Sequence, residues 1–582
     1  MDRSEVCADL RSRVREHLAQ IYGDRDLESW VERLIQLMAY PAGMARVQAH
    51  QNHWDQRDIA LISYGDSIHR AGEKPLVTLR RFLAAELAEA VTRLHILPFF
   101  PYSSDDGFSV MDYLAVNPAL GDWQDISALA GDFRLMADLV INHASARSRW
   151  FENFKKCQHP GRDYFYTADE HADTSGVIRP RSTPLLNPVA TADGVKWLWC
   201  TFSPDQVDLN FANPEVLAEF VGIVARYLDW GVEVFRLDAV AFLWKEPGTS
   251  CVHLPQTHEI IKLLRLLVEH KNPRAVLVTE TNVPNRENLT YLGNANEAHV
   301  IYNFSLPPLL VNALITGSCR HLKTWMMSMP PAQNGTAYLN FIASHDGIGL
   351  RPTEGLLDED ELRVLIDTMQ DFGGMVSFRK GQEGFEKPYE INISLYDAMK
   401  GTAAGGPDQW QFQRFVCAHA IMLAVEGIPA IYIHSMLGTE NDTRKFENTG
   451  RKRSINRHSW EEGDLVARLA DSGLHHRPVL DELKRLIAIR RRQPAFHPNV
   501  TQFTLHLGDE IFAFWRQSLK RDQSIFCLAN ITTEPQTILL SQINLVATES
   551  WSDLISGIGI PDLGASLVLE PYQSLWLSNC RY

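Results

Sequence analysis

Apolar runs along this chain repeatedly stop on polar groups. Gly231 to Val240, GVEVFRLDAV, is mostly aliphatic or aromatic and carries Arg236 and Asp238 near its end. Its pattern predicts a buried strand. Burying either charge alone is costly, so the pair belongs where the strand leaves the core and meets a cavity. The pattern recurs. Ala275 to Thr281, AVLVTET, delivers Glu280, and Thr336 to Asp346, TAYLNFIASHD, ends in His345 and Asp346. Phe133 to His143, FRLMADLVINH, ends in Asn142 and His143. A parallel barrel of alternating strands and helices gathers its functional groups on the C-terminal face of its strands.

Read in order, the chain supplies such a barrel. Leu10, Val14, Leu18 and Ile21 recur at helical spacing, and a second helical run spans Leu27 to Met38 before Pro41. Residues 1–55 are therefore read as a helical N-terminal extension packed on the main body. Strands are expected at 59–64, 94–100, 135–141, 232–237, 276–280, 299–304, 339–343 and 428–433, with helical stretches between them. The rhythm stops at about 145–200, which is rich in Arg and aromatic residues and reads as an insertion after the third strand. Residues 351–412 form a second long excursion. Long connections of this kind tend to carry function. After about residue 498, short strand patterns replace helices. The expected fold class is α/β: a (β/α)8 barrel over 56–144 and 201–497, an inserted domain over 145–200, and an all-β domain over 498–582.

Composition narrows the function. The 582 residues are 45% hydrophobic and 22% charged, as in ordinary globular proteins. A net charge of −15 argues against nucleic acid or an anionic membrane as the main partner. The eight cysteines contain no CxxC pair and read as free thiols rather than a disulfide framework or zinc site. The N-terminus lacks an apolar signal core, and no apolar run is long enough to span a membrane. A cytoplasmic protein is expected.

Two facing carboxyls, one ionised and one protonated, are the machinery of glycoside cleavage. Asp238 and Glu280 sit at the ends of neighbouring expected strands. Arg236, two residues before Asp238, shares its face and can hold it as an anion, which favours Asp238 as nucleophile. Glu280 follows an apolar run and suits the general acid. Asp346, beside His345, adds a third carboxylate for sugar hydroxyls. The alternative for such strand-end groups is ordinary ion pairing. No GxGxxG, P-loop, HExxH or GxSxG motif competes. His95, His143 and His345 are better read as hydrogen-bonding groups than as metal ligands, so no metal and no organic cofactor is expected.

The segments ADLVINH, FRLDAV, VTETN and ASHD resemble, in order, the signature regions of the α-amylase family, glycoside hydrolase family 13. The resemblance spans about residues 58–582. It implies a (β/α)8 barrel, an inserted domain B and a β-sandwich-like C-terminal domain. It also implies roles: Asp238 as nucleophile, Glu280 as general acid/base and Asp346 as transition-state stabiliser, with Arg236, His143 and His345 around the same sugar. DDGFSVMDY, TFSPDQVDLN, PYEIN and RSINRH resemble the sucrose phosphorylase-like branch. By that likeness Asp105 and Arg457 clamp the far end of a glucosyl ring, Phe108 and Phe202 form an aromatic wall, and Gln206 lies nearby. Arg179 or Arg181, in IRPRSTPLL, matches a phosphate-binding loop, and Tyr389 belongs to a second mobile loop.

The chain departs from sucrose phosphorylase proper in its N-terminal extension and at Glu390, where that branch typically carries Gln. The expected activity is a retaining phosphorylase acting on an α-glucoside donor and inorganic phosphate. It would yield α-D-glucose 1-phosphate by two displacements. A carboxylate at Glu390 facing the acceptor would repel glycerate, although Lys387 and Arg351 can offset it. Glycerol, released from 2-O-α-D-glucosylglycerol, is therefore the expected acceptor. Glucosylglycerate or sucrose phosphorylase stands as the alternative, and a hydrolase or transglucosylase as a more distant one.

Overall fold

The computed structural model describes residues 3–23, 26–41, 47–181, 183–380, 386–543 and 545–580. Eight parallel strands close into a barrel: β1 (Ala60–Ser63), β2 (Arg93–Ile96), β3 (Arg134–Val140), β4 (Val232–Asp238), β5 (Val276–Thr279), β6 (Val300–Tyr302), β7 (Ala337–Asn340) and β8 (Ile428–Tyr432). Each pairs with its neighbours in chain order, and β8 returns to β1 with Ala60 opposite Ala430. The strands are buried along almost their whole length. Burial on both faces is why they read as continuous apolar runs rather than as alternating ones.

All eight expected strands are present, with two displaced ends. The second stops at Ile96 instead of residue 100, because Pro98 cannot donate to a ladder. The seventh runs over Ala337–Asn340 rather than 339–343. His345 and Asp346 therefore stand in the loop after that strand, not on it.

The N-terminal residues form two helices, α1 (Arg3–Tyr22) and α2 (Glu28–Met38). They cover two helices of the barrel wall, α3 (Pro214–Asp229) and α4 (Pro255–Lys271). Leu10, Val14, Leu18, Val31, Leu34 and Met38 are buried in the same apolar cluster as the barrel. His17 Nδ1 lies 2.8 Å from Glu259 on α4, and the Tyr22 hydroxyl donates to the Phe211 carbonyl at 3.0 Å. Helix α3 starts on an Asn213 cap, whose side chain accepts from the Glu215 amide, followed by Pro214 at the first helical position.

The stretch after β3 holds a short helix, Arg149–Lys155, and a three-stranded antiparallel sheet of Thr167–Ala168, Leu186–Thr191 and Gly194–Trp199. The excursion after β7 holds a helix, Glu359–Asp371, and a hairpin of Met375–Lys380 and Glu386–Asn392. The C-terminal part builds a six-stranded sheet with its own apolar cluster, including Phe526, Leu528, Trp551 and Leu577. Among the described residues the eight cysteines form no disulfide. Among the described residues no helix is long and apolar enough to cross a membrane.

Candidate active site

A cavity opens at the C-terminal ends of the barrel strands. Its floor is built from strand ends. Asp238 closes β4, Glu280 directly follows β5, and Asp346 stands in the loop after β7. Arg236 lies beneath them, almost completely buried. Its Nη1 donates to Asp238 Oδ1 at 2.6 Å and to Asp138 Oδ1 at 2.5 Å, and its Nη2 lies 3.9 Å from Glu280 Oε1. Asp138 sits directly opposite Arg236 across the β3–β4 ladder. It also lies 2.7 Å from His95 Nε2, which accounts for that histidine. Sequence reading passed over Asp138. The signal was a lone charge inside the apolar run FRLMADLV, for which a buried partner was required.

The three carboxyls differ electrostatically. Burial pushes both Asp238 and Glu280 up to about 7; the charges of Asp138 and Asp346 add to this at Asp238, and those of Asp238 and Asp346 at Glu280. Such a pair titrates as one system. Arg236 breaks the tie by geometry, since it bonds Asp238 at 2.6 Å but approaches Glu280 only to 3.9 Å. In the singly protonated pair the negative charge therefore rests on Asp238 and the proton on Glu280, whose Oε2 accepts the Ala239 amide at 3.0 Å. Burial opposes ionisation of Asp346 too, but the charges of Arg453, Arg236 and Arg457 outweigh it and hold that carboxyl well below the usual range.

The walls are aromatic and polar. The Phe108 ring stacks on His345 at 5.1 Å with 6° between planes, and Phe202 lies 5.2 Å from His143. His143 Nε2 is 2.9 Å from the Phe108 carbonyl, and Gln206 donates to Asp105 Oδ2 at 3.1 Å. Burial lowers His345 to about 3, so its ring is neutral near neutral pH. Neither of its ring nitrogens makes a hydrogen bond among the described residues. Such atoms on a cavity wall are suited to sugar hydroxyls. Asp105 is held below the usual carboxylate range, because Arg453, Arg181 and Arg457 outweigh its burial. Among the described residues, His95, His143 and His345 do not join other ligands in a group able to hold a metal.

Arginines line the mouth. Arg179 donates to Thr183 Oγ1 at 2.9 Å, and Arg181 lies over the Tyr389 ring at 5.8 Å. Arg351 approaches Glu287 at 3.6 Å, and Arg379 pairs with Glu354 at 2.8 Å. Ser182, which follows Arg181, lies outside the described residues.

Thirteen of the residues singled out in the sequence line this cavity: Asp105, Phe108, His143, Arg179, Arg181, Phe202, Gln206, Asp238, Glu280, His345, Asp346, Tyr389 and Glu390. Arg236 lies under the floor. Arg457, expected to clamp the sugar together with Asp105, pairs with Asp106 at 2.5 Å, and its Nε donates to the His345 carbonyl at 2.7 Å. The backbone at Asp105 and Asp106 has φ of 54° and 48°, a turn that sends the two carboxylates apart. One expectation is corrected, that of Glu390 as a free anion facing the acceptor. Its side chain is buried and engaged by both Nε and Nη2 of Arg453 at 2.8 Å each, so it does not meet an acceptor as a free anion. Arg453 was missed, although it stands four residues before Arg457, in the tight turn Lys452–Asn456 that Arg457 ends.

The family model for the α-amylase catalytic domain matches residues 89–366. A glucosylglycerate phosphorylase of Allomeiothermus silvanus is 40% identical over 576 residues, covering 99% of this chain and 100% of that protein. The chain belongs to the α-amylase family, in its glycoside phosphorylase branch. This phosphorylase is also 29% identical to the glucosylglycerol phosphorylase of Marinobacter adhaerens, over 75% of its own length and 88% of the relative's. Its fold is shared with the crystal structure of a sucrose 6F-phosphate phosphorylase from Thermoanaerobacter thermosaccharolyticum. The TM-score is 0.71 at 23% identity, covering 91% of this chain and 100% of that one. It is thus a glycosyltransferase-type enzyme.

Proposed function

We propose that the enzyme reversibly phosphorolyses glucosylglycerate to α-D-glucose 1-phosphate and glycerate. Asp238, held as an anion by Arg236, attacks the anomeric carbon, while Glu280 protonates the departing oxygen. Phosphate then displaces Asp238 from the β-glucosyl-enzyme, and the two inversions restore the α configuration. Asp346, fully ionised, stabilises the positive charge that develops on the sugar. His143, His345 and Asp105 hold its hydroxyls, with Phe108 and Phe202 beside the ring.

The observation that carries the acceptor assignment is the arginine-lined mouth above a carboxylate floor. The floor repels anions, so an anionic acceptor and phosphate both need cations at the rim. Arg179 and Arg181 provide them, while Arg351 and Arg379 already face Glu287 and Glu354. The expectation of glycerol gives way on two counts. Its main support was repulsion of glycerate by Glu390, and Arg453 neutralises that carboxylate. The 40% identity to a glucosylglycerate phosphorylase also exceeds the 29% to a glucosylglycerol phosphorylase.

The test runs the reaction in reverse from α-D-glucose 1-phosphate, with D-glycerate, glycerol and fructose offered separately and phosphate release measured. Glycerate is expected to give the highest kcat/KM. A higher value for glycerol or fructose would overturn the assignment.

A further inference from the structure

Glu390, Arg453 and Asp346 form a chain of contacts that ends at the reacting sugar. Arg453 Nη1 donates to Asp346 Oδ1 at 2.5 Å, while its Nε and Nη2 both donate to Glu390 at 2.8 Å. A guanidinium held by two parallel hydrogen bonds cannot swing, so its third contact is aimed. The backbone enforces the same arrangement. The loop that carries Asp346 pairs through Ile348–Gly349 with the strand that carries Glu390, placing Gly349 opposite Glu390. Gly347, next to Asp346, sits so close that a Cβ there would lie 2.9 Å from Glu390 Cγ and 2.8 Å from the Ile391 carbonyl. The absence of a side chain at 347 is what lets the catalytic loop and the hairpin touch.

We propose that Glu390 is a positioning residue for glucosyl transfer itself, acting through Arg453 on Asp346, and that it makes no direct contact with the acceptor. The proposal rests on the reading of Asp346 as the group that stabilises charge on the sugar. Without Glu390, the Arg453 fork loses two of its three carboxylate bonds and turns, and Asp346 loses both its orientation and its closest cation. The transition state then suffers in both half-reactions, whichever acceptor is bound. A residue that merely contacts the acceptor would instead change acceptor KM and leave transfer to phosphate untouched.

The test uses α-glucosyl fluoride with phosphate, a reaction with no acceptor in it, and follows fluoride release. Glu390→Ala is expected to lower kcat by roughly tenfold to a hundredfold, the scale of a small misplacement of a catalytic group. Glu390→Gln, which keeps one acceptor oxygen for the fork, should recover part of that loss. In the reverse direction, from α-D-glucose 1-phosphate, the same kcat losses should appear, with KM for glycerate changed by less than about twofold. Unchanged fluoride turnover in both variants, with acceptor KM altered, would overturn the proposal. Should Glu390→Ala fail to fold, as seen by thermal melting, Glu390→Gln alone decides it on the same readouts. Failure of the wild type to release fluoride would instead refute the glucosyl-transfer reading, so the two failures are distinguishable.

Discussion

At the scale of single residues, the decisive feature is one guanidinium serving two carboxyls unequally. Arg236 lies 2.6 Å from Asp238 and 3.9 Å from Glu280, and both carboxyls are pushed by burial to about 7. The productive form carries one proton, on Glu280. As pH rises through about 7, Glu280 loses that proton and acid assistance disappears. As pH falls below about 7, Asp238 gains a proton and the nucleophile is lost. The pH profile of kcat/KM for glucosylglycerate should be bell-shaped, whereas with α-glucosyl fluoride the alkaline limb should flatten, since fluoride departs without a proton. Glu280→Gln should cost about 10²- to 10⁴-fold with glucosylglycerate and far less with the fluoride. Asp238→Asn should abolish turnover of both. Comparable losses on both donors in Glu280→Gln would remove it from the acid role.

At the scale of elements, α1 and α2 act as an apolar sheath on the barrel rather than as part of its chemistry. Leu34 is buried against the wall, α2 packs on α3, and Arg33 on α2 lies 3.7 Å from Glu215 at the start of α3. Leu34→Ala leaves a cavity at that junction and is expected to cost about 2–5 kcal/mol in urea unfolding. The kcat should stay within about twofold of wild type, because α2 packs on α1 and on the outer helix α3, whereas the floor of the site rests on the barrel strands. A large loss of kcat with unchanged stability would show that the sheath reaches the catalytic face. The hydrophobic spacing of these helices was legible in the chain. Which wall helices they cover was not, because any apolar stripe of the right width satisfies that pattern.

For the whole molecule, the join between barrel and C-terminal sheet depends on buried cations reading backbone carbonyls. Arg516, on the strand Ile511–Gln517, donates to the carbonyls of Ala424 at 2.5 Å, His497 at 2.9 Å and Val500 at 3.2 Å. Arg490 donates to Leu423 at 2.7 Å, Gly427 at 3.3 Å and Phe496 at 3.1 Å. Leu423 and Ala424 end the helix Gln411–Ala424 that leads into β8, so the two arginines satisfy its open C-terminal carbonyls. Burial lowers Arg516 only to about 10, which leaves it charged at neutral pH. Arg516→Met orphans three carbonyls and should lower the unfolding free energy by about 3 kcal/mol, by the usual cost of lost charged hydrogen bonds. Calorimetry that shows an unchanged Tm would reject this role for the join.

What the chain determined by itself was local: where apolar runs begin and end, and which carry a charge at the end. Those properties follow from desolvation, which penalises a buried charge wherever the strand lies. They were enough for eight strands and for the placing of Asp238 and Glu280 at strand ends; Asp105, Phe108, Arg179, Arg181, Phe202, Gln206 and Tyr389, which also line the cavity, came from the family resemblance instead. The tertiary structure alone decided which charge meets which. Asp105 and Asp106 are neighbours in sequence, yet only a left-handed turn settles that Arg457, 351 residues later, takes the second. Glu390 reads as a free anion until Arg453, 63 residues on, is folded against it. Ion pairing across such separations depends on closure of the barrel and its loops, and no local pattern in the chain encodes it.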